Sequence, residues 1–153
     1  MFLRKLPVLT LIRLAYISRS TESNRETRHV QAVADKILAV ANVYNKENGI
    51  TGVLCFSNDC YFQCLEGNSS AVKHLYSKLL NDPRHRDLKI VLKAPIVSLS
   101  FSKWSMKYLP DVKVMIPLIN LHHHKIFSPY DFSQNLFIDL LDFLSQKCAE
   151  GKC

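Results

Sequence analysis

Apolar residues recur along this chain with two different periods, and the switches between them mark out its elements. Leu11–Ser18 reads as a first strand, with Ile12, Leu14, Tyr16 and Ser18 on one face and Leu11, Arg13, Ala15 and Ile17 on the other. Ser23-Asn24-Arg25-Glu26 has capping-box spacing. Val30, Val33, Ile37, Val40, Ala41 and Tyr44 then follow at helical intervals, and Asn48-Gly49 closes that first helix. Ile50–Phe56 and Cys60–Leu65 read as strands on either side of the turn-forming Ser57-Asn58-Asp59, which predicts a hairpin. Asn68-Ser69-Ser70 opens a second helix with Val72, Leu75, Tyr76, Leu79 and Leu80 on its apolar face, and Asp82-Pro83 ends it. Strands are expected at about Leu88–Ile96 and from about Lys103 to Tyr108. The rest reads as helical. Val112–Phe127 carries Pro117 inside it, and Leu136, Phe137, Leu140, Leu141 and Leu144 form a final stripe, expected on the opposite sheet face.

Both early helices can cross the same face of the sheet in the order βαββαβ(β), which predicts a ferredoxin-like α+β fold with further helices after it. A few polar residues interrupt this apolar pattern. Gln63 stands in the middle of a strand that otherwise reads as buried, where an amide needs partners or costs about 1–3 kcal/mol. Tyr16 points to the same side as Ile12 and Leu14. Ile37, Ala41 and Asn45 lie along one helical stripe, so the Asn45 amide emerges beside an apolar surface. Trp104, Met106 and Tyr108 share one strand parity, and Arg84, His85 and Arg86 come together just after the second helix. Each has an ordinary reading: a satisfied core polar group, a core aromatic, a charged loop. Each also has a ligand reading, the arginines as donors matched to phosphate or ribityl oxygens.

Composition narrows the classes. The chain has 153 residues, enough for one domain with a sizeable core, and no stretch reaches the length of apolar residues that crosses a bilayer. Residues 1–17 resemble a secretory signal only superficially, since Arg13 interrupts the run and no small-residue cleavage site follows, so a cytoplasmic protein is expected. The net charge of +7 is spread along the chain without a basic block. Five cysteines at 55, 60, 64, 148 and 153 present neither a disulfide framework nor a Cys-x-x-Cys metal site. Consecutive His122, His123 and His124 lie about 100° apart on a helix and cannot all face one ion, so no metal is expected. No phosphate loop, Ser-His-Asp set or paired catalytic carboxylates stand in a credible context.

The run Gly-Ile-Thr-Gly-Val-Leu-x-Phe…Phe-Gln-x-Leu-Glu-Gly from Gly49, with Asn45 before it and Asp82-x-Arg84-His85 and Trp104-Ser105-Met106 after it, resembles the BLUF family of blue-light sensors. The resemblance covers about residues 11 to 108. It implies a flavin, usually FAD, bound noncovalently between the two helices above the sheet. It implies that Tyr16 gives an electron and a proton to the excited ring and that Gln63 then rearranges its hydrogen bonds, with a small red shift of the flavin absorption. It implies further that Asn45 holds the ring's polar edge, that Arg84 and His85 lie by the ribityl and phosphate part, and that Trp104 and Met106 pass the signal outward. Tyr44 and Ala41 depart from the family's more polar choices before and on the helix stripe.

Residues 1–10 are then an extension, 11–108 the flavin-binding domain and 109–153 a helical cap and output segment too short for a catalytic domain. The resemblance is to the short, single-domain members, which catalyse no net reaction on a substrate and act on a regulatory protein partner or by changing oligomer state. The competing class is a ferredoxin-like module that binds RNA or a phosphorylated ligand without photochemistry, although Tyr61, Gln63 and Leu65 lack interleaved basic residues. A light-independent flavoenzyme is a third reading.

Overall fold

In a computed structural model of the chain, the described residues are 10–21, 27–102, 106–109 and 112–151. The Ser23–Glu26 capping box and Trp104 lie outside them, as do the side chains of Val30 and Val33. The elements are β1 (Leu11–Ser20), α1 (Thr27–Glu47), β2 (Thr51–Ser57), β3 (Cys60–Asn68), α2 (Ser69–Leu79), β4 (His85–Pro95) and β5 (Lys107–Leu109). After a 3-10 turn at Val112–Met115 come α3 (Ile116–Leu121), a second such turn at Pro129–Asp131, and α4 (Gln134–Ala149).

The strands form one sheet in the order β4-β1-β3-β2-β5. The first four are antiparallel, in the order expected of a ferredoxin-like fold, and β5 adds to the β2 edge in parallel. The predicted hairpin is present. Its two turn residues, Asn58 (φ 50°) and Asp59 (φ 59°), are both left-handed, the type I′ geometry that matches the twist of the flanking strands. Asn58 also donates through Nδ2 to the Phe127 carbonyl at 2.9 Å, which ties the hairpin tip to the C-terminal segment. Gly49, at φ 65°, ends α1 with the left-handed residue expected there, and the Ile50 amide returns to the Asn45 carbonyl at 2.8 Å.

Strand parity divides the interior into two cores. On one face Ile12, Leu14, Tyr16, Ile50, Leu54, Leu65 and Val72 pack beneath α1 and α2. On the other, Ala15, Ile17, Val53, Phe62 and Cys64 meet Leu136, Phe137, Leu140, Leu141 and Leu144 of α4, as their stripe predicted. Ser133 caps α4 through its hydroxyl, which accepts from the Leu136 amide at 3.2 Å.

Several boundaries differ from expectation. β4 begins at His85 rather than near Leu88, because His85 and Arg86 pair with Ser20 and Arg19 of β1. Leu80 caps α2 and is half exposed instead of joining its apolar face. Among the described residues the fifth strand is limited to Lys107–Leu109. Pro117 falls in the first turn of the short α3, where its missing N–H is no loss, and the chain leaves the helix at His122. Cys55, Cys60 and Cys64 are buried thiols, and burial pushes the Cys55 thiol up to about 12.

Candidate functional site

A cavity of about 230 Å³ lies between α1, α2 and the sheet. Aliphatic walls come from Ile37 and Ala41 of α1, Leu54 of β2 and Leu75 of α2, while Tyr16, Asn45, Gln63, Arg84 and His85 bring polar atoms to it. Five of the residues singled out from the sequence thus converge on one space. β1 and β3 are paired with Tyr16 directly opposite Gln63, so the two side chains share a face by strand register alone.

The Tyr16 hydroxyl donates a hydrogen bond to Gln63 Oε1. The other end of the amide, Nε2, points to the sulfur of Met106 at 3.6 Å. Gln63 therefore bridges the phenol and the thioether, and all three side chains are buried. Burial pushes the Tyr16 phenol well above its ordinary range, reinforced by the nearby Tyr76 and Asp82, so it stays un-ionised at neutral pH. The Tyr76 ring lies edge-on to Tyr16, with centroids 5.5 Å apart.

At the α2 end, Arg84 closes on the Asp82 carboxylate through Nε (2.9 Å) and Nη2 (2.5 Å). Burial alone would raise Asp82, but hydrogen bonds from the Arg84 side chain and backbone outweigh it and hold the carboxyl below its ordinary value. His85 has both ring nitrogens engaged. Nε2 faces the Leu79 carbonyl at 3.0 Å and so carries the proton, which leaves Nδ1 to accept from the Ser18 hydroxyl at 3.0 Å. Burial lowers the His85 pKa despite the pull of Asp82, and the ring is neutral at pH 7. His85 lines the cavity as a brace between β1, β4 and the end of α2 rather than as a cation. Lys78 of α2 reaches over the Tyr44 ring of α1, 4.5 Å from its centroid, and both line the cavity.

The donor set fits a planar heteroaromatic ring with an anionic tail: an apolar slot, two amides able to donate or accept, and at the α2 end Lys78 beside the paired Arg84 and Asp82, which leaves one net positive charge. Among the described residues there is no cluster of metal ligands. The three histidines diverge, His122 to Asp139 at 2.8 Å and His124 to the Phe132 ring. Nor is any described helix long and apolar enough to cross a membrane.

Sequence reasoning missed Glu66 and Arg13. Glu66 is completely buried on the sheet face opposite the cavity and pairs with Arg13 at 3.0 Å. The available signal was parity: Glu66 shares a strand face with Phe62 and Cys64, and a buried carboxylate demands a partner.

The family model described as "BLUF: Sensors of blue-light using FAD" matches residues 11–107. The chain is 34% identical over 97 residues to photoactivated adenylate cyclase subunit beta of Euglena gracilis, a match covering 63% of this chain and 11% of that protein. It thus spans about a tenth of the length of such relatives. Over 54 residues, 35% of this chain and 13% of the other, it is 35% identical to the blue light- and temperature-regulated antirepressor BluF of Escherichia coli strain K12. Among solved structures, that of BlsA in its photo-activated state superposes with a TM-score of 0.77 at 32% identity, covering 88% of this chain and 94% of that one. The dark-state structure of the BLUF protein BlrB gives 0.70 at 25% identity, covering 91% and 98%.

Proposed function

The chain belongs to the BLUF family of blue-light sensors that use flavin, and from that premise we propose that its cavity holds FAD noncovalently and that Tyr16 and Gln63 carry the photochemistry. The supporting observation is the buried relay from the Tyr16 hydroxyl through the Gln63 amide to Met106. A bound flavin supplies the absorption of blue light and the oxidising power of its excited ring. The Tyr16 phenol, kept un-ionised by burial, would give up its proton only together with an electron, both going to the excited ring, and Gln63 Oε1, which accepts the phenol's hydrogen bond, stands in line to relay that proton. If the amide turns or exchanges its tautomer in doing so, it presents a different donor and acceptor pattern to its other neighbours, Met106 included. Asn45 and Gln63 would hold the ring's polar edge, and Arg84, set by Asp82, and His85, braced by Ser18 and the Leu79 carbonyl, would serve the ribityl and phosphate part. Trp104 joins Met106 as the expected outward relay.

The output is regulatory rather than catalytic in this reading. Residues 11–108 sense and 109–153 present the result to a regulatory protein partner, in a cytoplasmic setting or through self-association. Light changes partner binding only as far as the dark and lit surfaces differ in affinity. Since α4 completes the second core, deleting 109–153 would strip the sheet itself. The exposed Leu121, Ile126 and Ile138 are therefore the residues to alter when mapping the output surface. The RNA-binding alternative has no support from the comparisons.

The deciding experiment is an absorption spectrum of the purified protein in darkness and after blue light, with the flavin released and chromatographed to separate FAD from FMN. Flavin bands that shift to the red and recover in darkness are expected, with Tyr16→Phe keeping the flavin and losing the shift. A protein that retains no flavin, or whose flavin only bleaches, would overturn the reading. A released flavin that is FMN would overturn the choice of FAD alone.

A further inference from the structure

We propose that Arg13 and Glu66 act as a clasp that positions Met106 against Gln63 and so sets the lifetime of the lit state, an inference that rests on the photoreceptor reading above. Glu66 lies on β3 three residues beyond Gln63 and on the opposite face, away from the cavity. It is fully buried, and both carboxylate oxygens are used. Oε2 accepts from Arg13 Nε of β1 at 3.0 Å. Oε1 accepts from two backbone amides of the β4–β5 connection, Ser100 at 2.8 Å and Phe101 at 3.1 Å. Arg13 Nη2 also donates to the Ser100 hydroxyl at 2.7 Å. Charge-assisted bonds of this kind are roughly twice as strong as neutral ones, and together they fasten the connection to the two strands that carry Tyr16 and Gln63.

Met106 comes five residues after Phe101, and its other flank is β5, which pairs in parallel with Val53, Leu54 and Cys55 of β2. The methionine therefore sits between two tethers: the clasp on one side and three residues of edge strand on the other. Phe101 is itself fully buried in the second core, so the clasp also sets how that core meets the strand-five segment. Five extended residues reach at most about 17 Å, so the clasp at Phe101 bounds how far Met106 can stray from it. Loosening it gives Met106 more positions beside Gln63 and lowers the barrier for return to the dark arrangement.

The test uses the flavin-loaded full-length protein. Glu66→Gln keeps shape and one acceptor oxygen but removes the charge. It should retain flavin and a red shift yet recover in darkness about five- to tenfold faster. Met106→Ala should also speed recovery, and the double variant should recover no faster than the quicker single, because both act through one contact. Should Glu66→Gln fail to fold, Ser100→Ala removes only the exposed Arg13–Ser100 bond and should shift recovery in the same direction by about twofold. Recovery unchanged in a folded clasp variant, or rate effects of Glu66→Gln and Met106→Ala that multiply independently, would overturn the clasp while leaving the photoreceptor intact. A wild-type protein with no photocycle would instead refute the reading on which the clasp rests.

Discussion

Removing either partner of the Tyr16–Gln63 hydrogen bond should destabilise the flavin-free protein, whereas removing both should cost little more than removing one. Tyr16 is 2% exposed and Gln63 6%, so a lost partner can be replaced only by water held in the cavity both residues line, and the costs that follow are those without such a water. Tyr16→Phe leaves Oε1 of a buried amide without its donor, at about 1–3 kcal/mol. Gln63→Leu leaves a buried hydroxyl unpaired at a similar cost. It also removes the bond to the Met106 sulfur at 3.6 Å, which adds little to stability because a thioether is a weak acceptor. In the double variant an apolar pair of comparable size faces itself across β1 and β3, with nothing left to satisfy. The coupling between the two sites is therefore about 1–2 kcal/mol in favour of the double variant. Urea unfolding of the four proteins stripped of flavin measures it, since bound flavin would add its own linkage term. Effects that add to within about 0.5 kcal/mol would show that Gln63 is held by something other than Tyr16.

Phe137→Ala, which removes a buried ring 5.4 Å from Phe62, should cost about 3–5 kcal/mol in thermal or urea unfolding while the Tyr16-side cavity keeps its flavin spectrum. Gly52→Ala places a Cβ 2.1 Å from the Cys64 carbonyl oxygen and should cost more than about 2 kcal/mol, because backbone on both strands would have to part; urea midpoints at unchanged m-value check this. The His85 pKa is lowered by burial from its ordinary 6.5, so the unfolded chain binds the proton more readily than the folded one. His85 thus contributes stability that is complete above pH 6.5 and lost as pH falls through the depressed folded value. Unfolding free energies between pH 7 and 5 should fall more steeply for the parent than for His85→Gln, and equal slopes would reject the assignment.

Much of this site was legible because strand and helix periods leave so little freedom. Once Leu11–Ser18 and Cys60–Leu65 are strands, Tyr16 and Gln63 have fixed faces, and Asn45 follows Ile37 and Ala41 around one side of α1. What stayed hidden depends on pairing between distant segments. Nothing local in Arg84-His85-Arg86 distinguishes a charged loop from the start of β4; the difference is made by Ser20 and Arg19 across the ladder. Glu66 likewise looks like the end of a strand until Arg13 and the amides of Ser100 and Phe101 surround it. The neutral, braced state of His85 needed the Leu79 carbonyl and the Ser18 hydroxyl, contributed from six and sixty-seven residues away.

The register that puts Tyr16 opposite Gln63 also makes β1 and β3 two interleaved texts. On β1 the even-numbered residues and on β3 the odd-numbered ones answer to the cofactor cavity, while their immediate neighbours answer to α4 and the second core. Outside the Arg13–Glu66 pair, a mutational scan should therefore come out striped, with neighbouring letters failing for unrelated reasons, colour at one and solubility at the next. Insertion or deletion of a single residue in either strand would exchange the two texts at once. Retuning of the output is accordingly open to substitution within one set of letters, with the light-sensing set left untouched.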